Sequence, residues 1–276
     1  MTAAASATLR KAGATSAGIV LIRVAAWLVL GLLLAPLIVL VGASFSSVDY
    51  VSFPPRGFSL QWYEKFFADP AFVNSLILSA KIALAASLLA TLLGFPAAYI
   101  LVRKRFPGRK LAWTLLLSPL LVPQIILGVA LLQIFTAAGL ATSFTGLLLA
   151  HTVAVVPYVV RTVGAALVGI DPSIEEAAAD LGASRLEILA LVVAPIIKGG
   201  LLAGALFAFI MSWVNVEISI FLSVTGGYTL PVVLFNFIEY SITTVVVAAA
   251  SIAIYVALIL VLMVDAIVGI DSASKL

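Results

Sequence analysis

Cysteine is absent from the 276 residues, which excludes a disulfide framework, a thiolate metal site and a cysteine nucleophile. His151 is the single histidine, so a multi-histidine metal centre or a haem pair is excluded as well. Charge is scarce. Lys, Arg, Asp and Glu make up 10% of the chain, where a soluble domain carries about a quarter. No glycine-rich loop ends in Lys-Ser or Lys-Thr, so the chain does not cradle ATP by that means. No nucleophile, base and acid form a convincing catalytic set. What fills the sequence is oil: 64% hydrophobic residues and a mean hydropathy of +1.27, the composition of an integral membrane protein. The net charge of +3 therefore records topology rather than nucleic-acid binding.

Six apolar runs are long enough to cross about 30 Å of hydrocarbon as helices. They lie near 24–43, 72–101, 111–135, 144–168, 199–223 and 242–268. Val41-Gly42-Ala43 weakly resembles a cleavage site, but the run before it is longer than a signal-peptide core, so it reads as a retained span. Pro36, Pro96, Pro119, Pro123 and Pro157 fall within or near the spans, where neighbouring helices can re-satisfy the freed carbonyls. Five basic residues crowd the loop 103–110 and three more lie before or at the start of the first span. The loops after the third and fifth spans have none. Both termini and the 103–110 loop are thus expected in the cytoplasm, together with the segment from Gly169 to Lys198.

That segment sets charged side chains and a row of alanines between two apolar runs. Ser173 and Glu176 have capping-box spacing, and Glu175 and Glu176 lie where a helix dipole favours anions. Ala177, Ala178 and Ala179 favour helix, Gly182 permits a turn, Arg185 resumes a helical pattern and Pro195 ends or kinks it. Ala177, Ala178 and Leu181 form a shallow apolar surface ringed by Glu175, Glu176 and Asp180. An interfacial helix would be rich in Lys and Arg, and an acidic one is repelled by anionic lipid. A protein partner is the better occupant.

The same residues resemble a family signature. Glu176-Ala177-Ala178, then Gly182, then Val192-Val193-Ala194-Pro195 are similar to the "EAA…G…I-x-L-P" loop of permease subunits of binding-protein-dependent ABC importers, with Val192 and Ala194 departing from it. Residues 52–99 and 225–242, the latter read as the last external loop, are similar to spermidine/putrescine-type permeases. The resemblance implies an all-α, six-span fold of the type I ABC importer permease, a single domain over 1–276 with residues 171–198 as its cytoplasmic coupling loop. It implies that Glu175, Glu176, Ala177, Ala178, Asp180, Gly182, Arg185 and Pro195 contact an ATPase. The implied assembly has a second, different permease, two ATPase subunits carrying ATP and Mg, and a soluble substrate-binding protein, in a bacterial inner membrane. This chain itself needs no cofactor or metal and is not an enzyme. The implied solute is a polyamine or another small amino-bearing cation.

Charges inside spans mark functional sites by default. Ser212, Asn215 and Ser219 share helical spacing, with Trp213 and Glu217 alongside, and are expected to form a cation-lining wall of the translocation path. Lys81, in the second span, is either a path residue or an ion-pair partner of Glu217. Gln124 and Gln133 line a path or bridge helices, and His151 is expected to bond across a helix interface. Gly226-Gly227-Tyr228 reads as a tight loop. Two alternatives remain in view: a permease for a different solute, and an ion-coupled secondary transporter. The second lacks the repeat symmetry common to such proteins, because loops 103–110 and 169–198 differ in charge, length and pattern. A membrane-embedded enzyme would need clustered acids, histidines or metal ligands that the chain does not have.

Overall fold

A computed structural model describes the backbone of residues 3–240 and 243–268, and side chains over 18–239 and 243–267. Among them all regular structure is helical apart from one isolated bridge, Val224 to Gly227. Twelve helices follow one another: α1 (Ala3–Ser44), α2 (Gln61–Ala68), α3 (Pro70–Arg103), α4 (Arg109–Leu117), α5 (Gln124–Ala137), α6 (Phe144–Val168), α7 (Ser173–Asp180), α8 (Arg185–Glu187), α9 (Ala194–Ile196), α10 (Lys198–Trp213), α11 (Leu230–Tyr240) and α12 (Thr244–Val268). Four stretches are long and apolar enough to span a membrane unbroken: Gly18–Ser44, Pro70–Arg103, Phe144–Val168 and Thr244–Ile267. Two bent pairs bring the number to six if each is one span.

The chain divides into two compact units, Met1–Lys65 with Ile242–Ser251, and Phe66–Ser241 with Ile252–Leu276. In the first, a loop folds back on the end of α1. The Trp62 indole N–H donates to the Ser46 carbonyl at 2.7 Å, and Phe45 stacks on Phe58 at 5.2 Å. Thr244 donates its hydroxyl to the Val48 carbonyl at 3.0 Å, fixing the start of α12 to the same loop.

The second unit is built on α3, α6 and α10, which make most of its interhelical contact. Asp69 caps α3 by accepting the Ala71 N–H at 2.8 Å, with Pro70 in the first turn where its missing N–H costs nothing. Close approach follows from small residues. A Cβ on Gly94 would lie 3.0 Å from the Val159 side chain, and one on Gly204 would lie 3.3 Å from the Val159 Cα. Val159 is thereby held between α3 and α10 with no exposure, in the way that small residues bring membrane helices together. Ser87 adds a hydroxyl bond to the Ala205 carbonyl at 2.7 Å.

Several expectations need correction. The run 111–135 is not one straight helix, because α4 and its 3₁₀ extension to Leu120 meet α5 at a 104° bend. Pro119 and Pro123 flank that bend, and each removes a donor and disfavours helix in the residue before it. The run 199–223 is helical only to Trp213. Beyond it Asn215 Oδ1 takes the Ile218 N–H at 2.9 Å, a side-chain bond that competes with helix. The expected last external loop contains α11, whose Phe237 stacks on Phe72 at 5.3 Å. Before it, Gly226 adopts φ +87° and the Gly227 N–H returns to the Val224 carbonyl at 3.0 Å, the tight turn that the glycines suggest.

Candidate functional site

The segment between α6 and α10 is two short helices joined at Gly182, whose φ of +91° puts it in the left-handed region that glycine favours. Ser173 does not cap α7. Pro172 occupies the cap position and Asp171 Oδ1 accepts the Ser173 N–H at 2.9 Å. Those bonds from Ser173 hold the Asp171 carboxyl below its usual range. The capping box lies one helix later: Ser184 and Glu187 exchange backbone and side-chain bonds at 2.7 and 3.4 Å. The chain then widens into a π turn, Ile188–Val193. Pro195 has no N–H to return to the Leu191 carbonyl, and a bend of 84° separates this segment from α10.

The expected partner-contact residues fall into two sets. Glu176, Ala177, Asp180, Gly182, Arg185 and Pro195 are exposed. Leu181 and Leu186 project beside them at 90% and 77% exposure, large apolar side chains left uncovered among the described residues. Glu175 and Ala178 face the other way. Ala178 packs on the main apolar core. Glu175 Oε1 accepts from Arg103 Nε at 2.7 Å, with both side chains nearly buried, and Glu175 Oε2 accepts the Tyr99 hydroxyl at 2.6 Å. Arg103 Nη2 also donates to the Ile170 carbonyl at 3.1 Å. The first turn of α7 is thus fastened to the last turns of α3, a link between residues far apart in sequence.

The second polar feature lies where α10 ends. His151, on α6, is buried between two hydroxyls, with Nδ1 at 2.7 Å from Ser212 Oγ and Nε2 at 2.9 Å from Ser219 Oγ. Ser219 spends its one proton on the Asn215 carbonyl at 2.9 Å, so it accepts from the ring. In the neutral imidazole that places the proton on Nε2 and leaves Nδ1 to accept from Ser212. The knot fixes the chain just where helix gives way to turns.

Beside it is a cavity of about 170 Å³ whose polar wall is Gln124, Tyr158, Asn215 and Glu217. Among the described residues, Gln124 Oε1 finds no hydrogen-bond partner although it is fully buried. A Cβ on Gly128 of α5 would lie 2.9 Å from the Glu217 carbonyl oxygen, which shows how closely α5 presses on this segment. Of the five residues expected on the path, Asn215 and Glu217 line the cavity. Ser212 is buried in the His151 knot. Trp213 is stacked on Phe209 and donates to the Ala253 carbonyl at 3.2 Å. Lys81 is exposed on α3 and makes no ion pair with Glu217, since among the described residues Arg103–Glu175 is the one salt bridge. The sequence did not place Tyr158 here, and no local pattern marks it.

No protein-family model matches the chain, but individual proteins do. The spermidine/putrescine transport system permease protein PotC of Haemophilus influenzae is 36% identical over 228 residues, covering 83% of this chain and 88% of that protein. The putrescine transport system permease protein PotI of Escherichia coli K12 is 34% identical over 79% of this chain and 80% of its own length. Among solved structures, a bacterial ABC transporter involved in the import of the acidic polysaccharide alginate aligns over 93% of this chain and 96% of its own, with a TM-score of 0.69 at 20% identity. With the helical architecture and these relatives together, the chain belongs to the permease subunits of ABC importers, of the spermidine/putrescine type, and is a non-enzymatic membrane component of such a transporter.

Proposed function

We propose that this chain forms half of the translocation pathway for a polyamine or similar amino-bearing cation. It works with a second permease, two ATPases that bind ATP and Mg, and a soluble binding protein. The segment 171–198 faces the cytoplasm and is the joint to the ATPase, as the basic loop 103–110 supports. The observation that carries the solute class is Glu217, an acidic residue on the wall of a cavity that also holds Gln124, Tyr158 and Asn215, in a chain this similar to polyamine permeases. At about 170 Å³ the cavity is smaller than the roughly 300 Å³ at which ligand pockets usually begin. It suits one ammonium group and its neighbouring methylenes, a station along a path rather than an enclosing site.

Reconstituted with its partners in vesicles, the importer is expected to accumulate labelled putrescine or spermidine with ATP. Glu217→Gln removes the counter-charge while keeping the shape, and is expected to lower the transport rate at least tenfold without loss of assembly. A wild-type rate in that variant would refute the role of Glu217.

The joint is tested separately. Leu181→Glu places a charge on the most exposed apolar side chain of the turn without disturbing the permease interior, because that side chain is 90% exposed among the described residues. The ATPase is expected to be lost on co-purification, with the permease eluting as before. Ala178 is the wrong place for such a probe, since it packs inward.

A further inference from the structure

The ends of α3 and α6, the loop after α3 and the helix α4 line an open pocket of about 1120 Å³, far larger than the cavity at Glu217. Arg105, Arg109, Lys110 and Arg161 line it, with no acidic side chain among its walls. We propose that this pocket holds the phosphodiester head of an anionic phospholipid, with an acyl chain against its apolar wall.

Arg161 carries the inference. It sits on a membrane-spanning helix about two turns, or ~10 Å, before the helix end at Val168. A charge at that depth needs an anion, a carbonyl or water, yet Arg161 makes no ion pair and no side-chain hydrogen bond among the described residues. Arg103, close by in sequence, has Glu175; the four cations of the pocket have no such carboxylate. The walls carry both chemistries of a phospholipid. Four cations, Arg105 from the loop, Arg109 and Lys110 from the first turn of α4 and Arg161 from α6, share the pocket with aliphatic and aromatic side chains, with Trp113 fixed against α6 where a Cβ on Gly164 would lie 3.2 Å from the indole. Tryptophan at such a level is characteristic of the membrane interface. No side chain caps the N-terminus of α4 at Gly108, which adds a favourable dipole for an anion. Basic pockets between spans are suited to anionic headgroups, and the apolar wall favours a lipid over free phosphate.

The test uses the assembled importer in detergent, with bound lipid read by native mass spectrometry. Phosphatidylglycerol is titrated against phosphatidylcholine of the same acyl chains. The wild type is expected to retain phosphatidylglycerol selectively, and Arg161→Gln to weaken retention about tenfold. Arg105→Gln/Arg109→Gln/Arg161→Gln is expected to abolish it. Lys198→Gln, at an exposed cation outside the pocket, leaves it unchanged. Arg161 is itself exposed, so the single variant gives a folded reading even where the triple does not. Equal retention by wild type and Arg161→Gln overturns the proposal. Displacement of the lipid by millimolar inorganic phosphate overturns it in favour of a soluble anion. Loss of the ATPase from the variants with lipid retention unchanged overturns it in favour of a protein partner on this face.

Discussion

Glu175→Ala is expected to leave the ATPase bound and yet to reduce transport per ATP hydrolysed by more than tenfold. The ion pair with Arg103 is nearly buried, with side-chain exposures of 10% and 12%, and Glu175 satisfies Arg103 and Tyr99 at once. Removing the carboxylate leaves a guanidinium stranded in a place poor in water, a change that costs about 3–5 kcal/mol when a buried pair is broken from one side. That energy fastens α7 to α3. Without it, the exposed turn around Leu181 still offers the same surface to a partner, but a displacement of that turn no longer carries α3 with it. Tyr99→Phe removes one bond to a charged acceptor, worth about 1.5–3 kcal/mol, and is expected to give a smaller defect in the same direction. The informative measurement pairs transport with amide exchange in residues 173–180. Exchange is expected to rise in Glu175→Ala and in Arg103→Met. Transport within twofold of wild type, together with unchanged exchange, would refute a mechanical role for the pair.

That pair also shows where reading from sequence stops. Gly182 and Pro195 act on their own backbone, so a helix, a turn and a second helix were legible between 173 and 195. The capping motif was legible but misplaced, because serine and glutamate stand three apart at both Ser173 and Ser184. Asp171 decided between them by taking the Ser173 N–H first. Hydropathy marked 111–135 and 199–223 as apolar but did not show where helix stops within them, since an apolar run says that a segment avoids water and not that its helix is continuous. Pro119, Pro123 and Asn215 carried that information and were outweighed by the length of the runs. The inward turn of Glu175 had no local sign at all. It depends on Tyr99 and Arg103, which reach it only once α3 and α6 are packed.

His151→Leu should be the most damaging single change near the cavity. The ring fills a fully buried position and satisfies Ser212 and Ser219 together. Leucine replaces the volume but leaves two hydroxyls without their partner, each unpaired group costing about 1–3 kcal/mol. Ser219 keeps its bond to the Asn215 carbonyl, so the loss falls hardest on Ser212, and a net destabilisation of about 3 kcal/mol is expected. The midpoint of thermal unfolding in detergent reads this directly. The distinguishing case is the triple variant His151→Leu/Ser212→Ala/Ser219→Ala, because removing all three polar side chains leaves fewer buried groups unpaired than removing the ring alone. Its midpoint is expected to recover most of what the single variant loses. If the triple is no better than His151→Leu, the three residues do not act as one network. Transport separates stability from placement. The knot holds the break after Trp213, and Asn215 and Glu217 reach the cavity from that break. The triple variant is therefore expected to fold and to assemble while transporting slowly, because apolar packing restores the energy of the joint but not the bonds that aim Asn215 and Glu217 at the cavity.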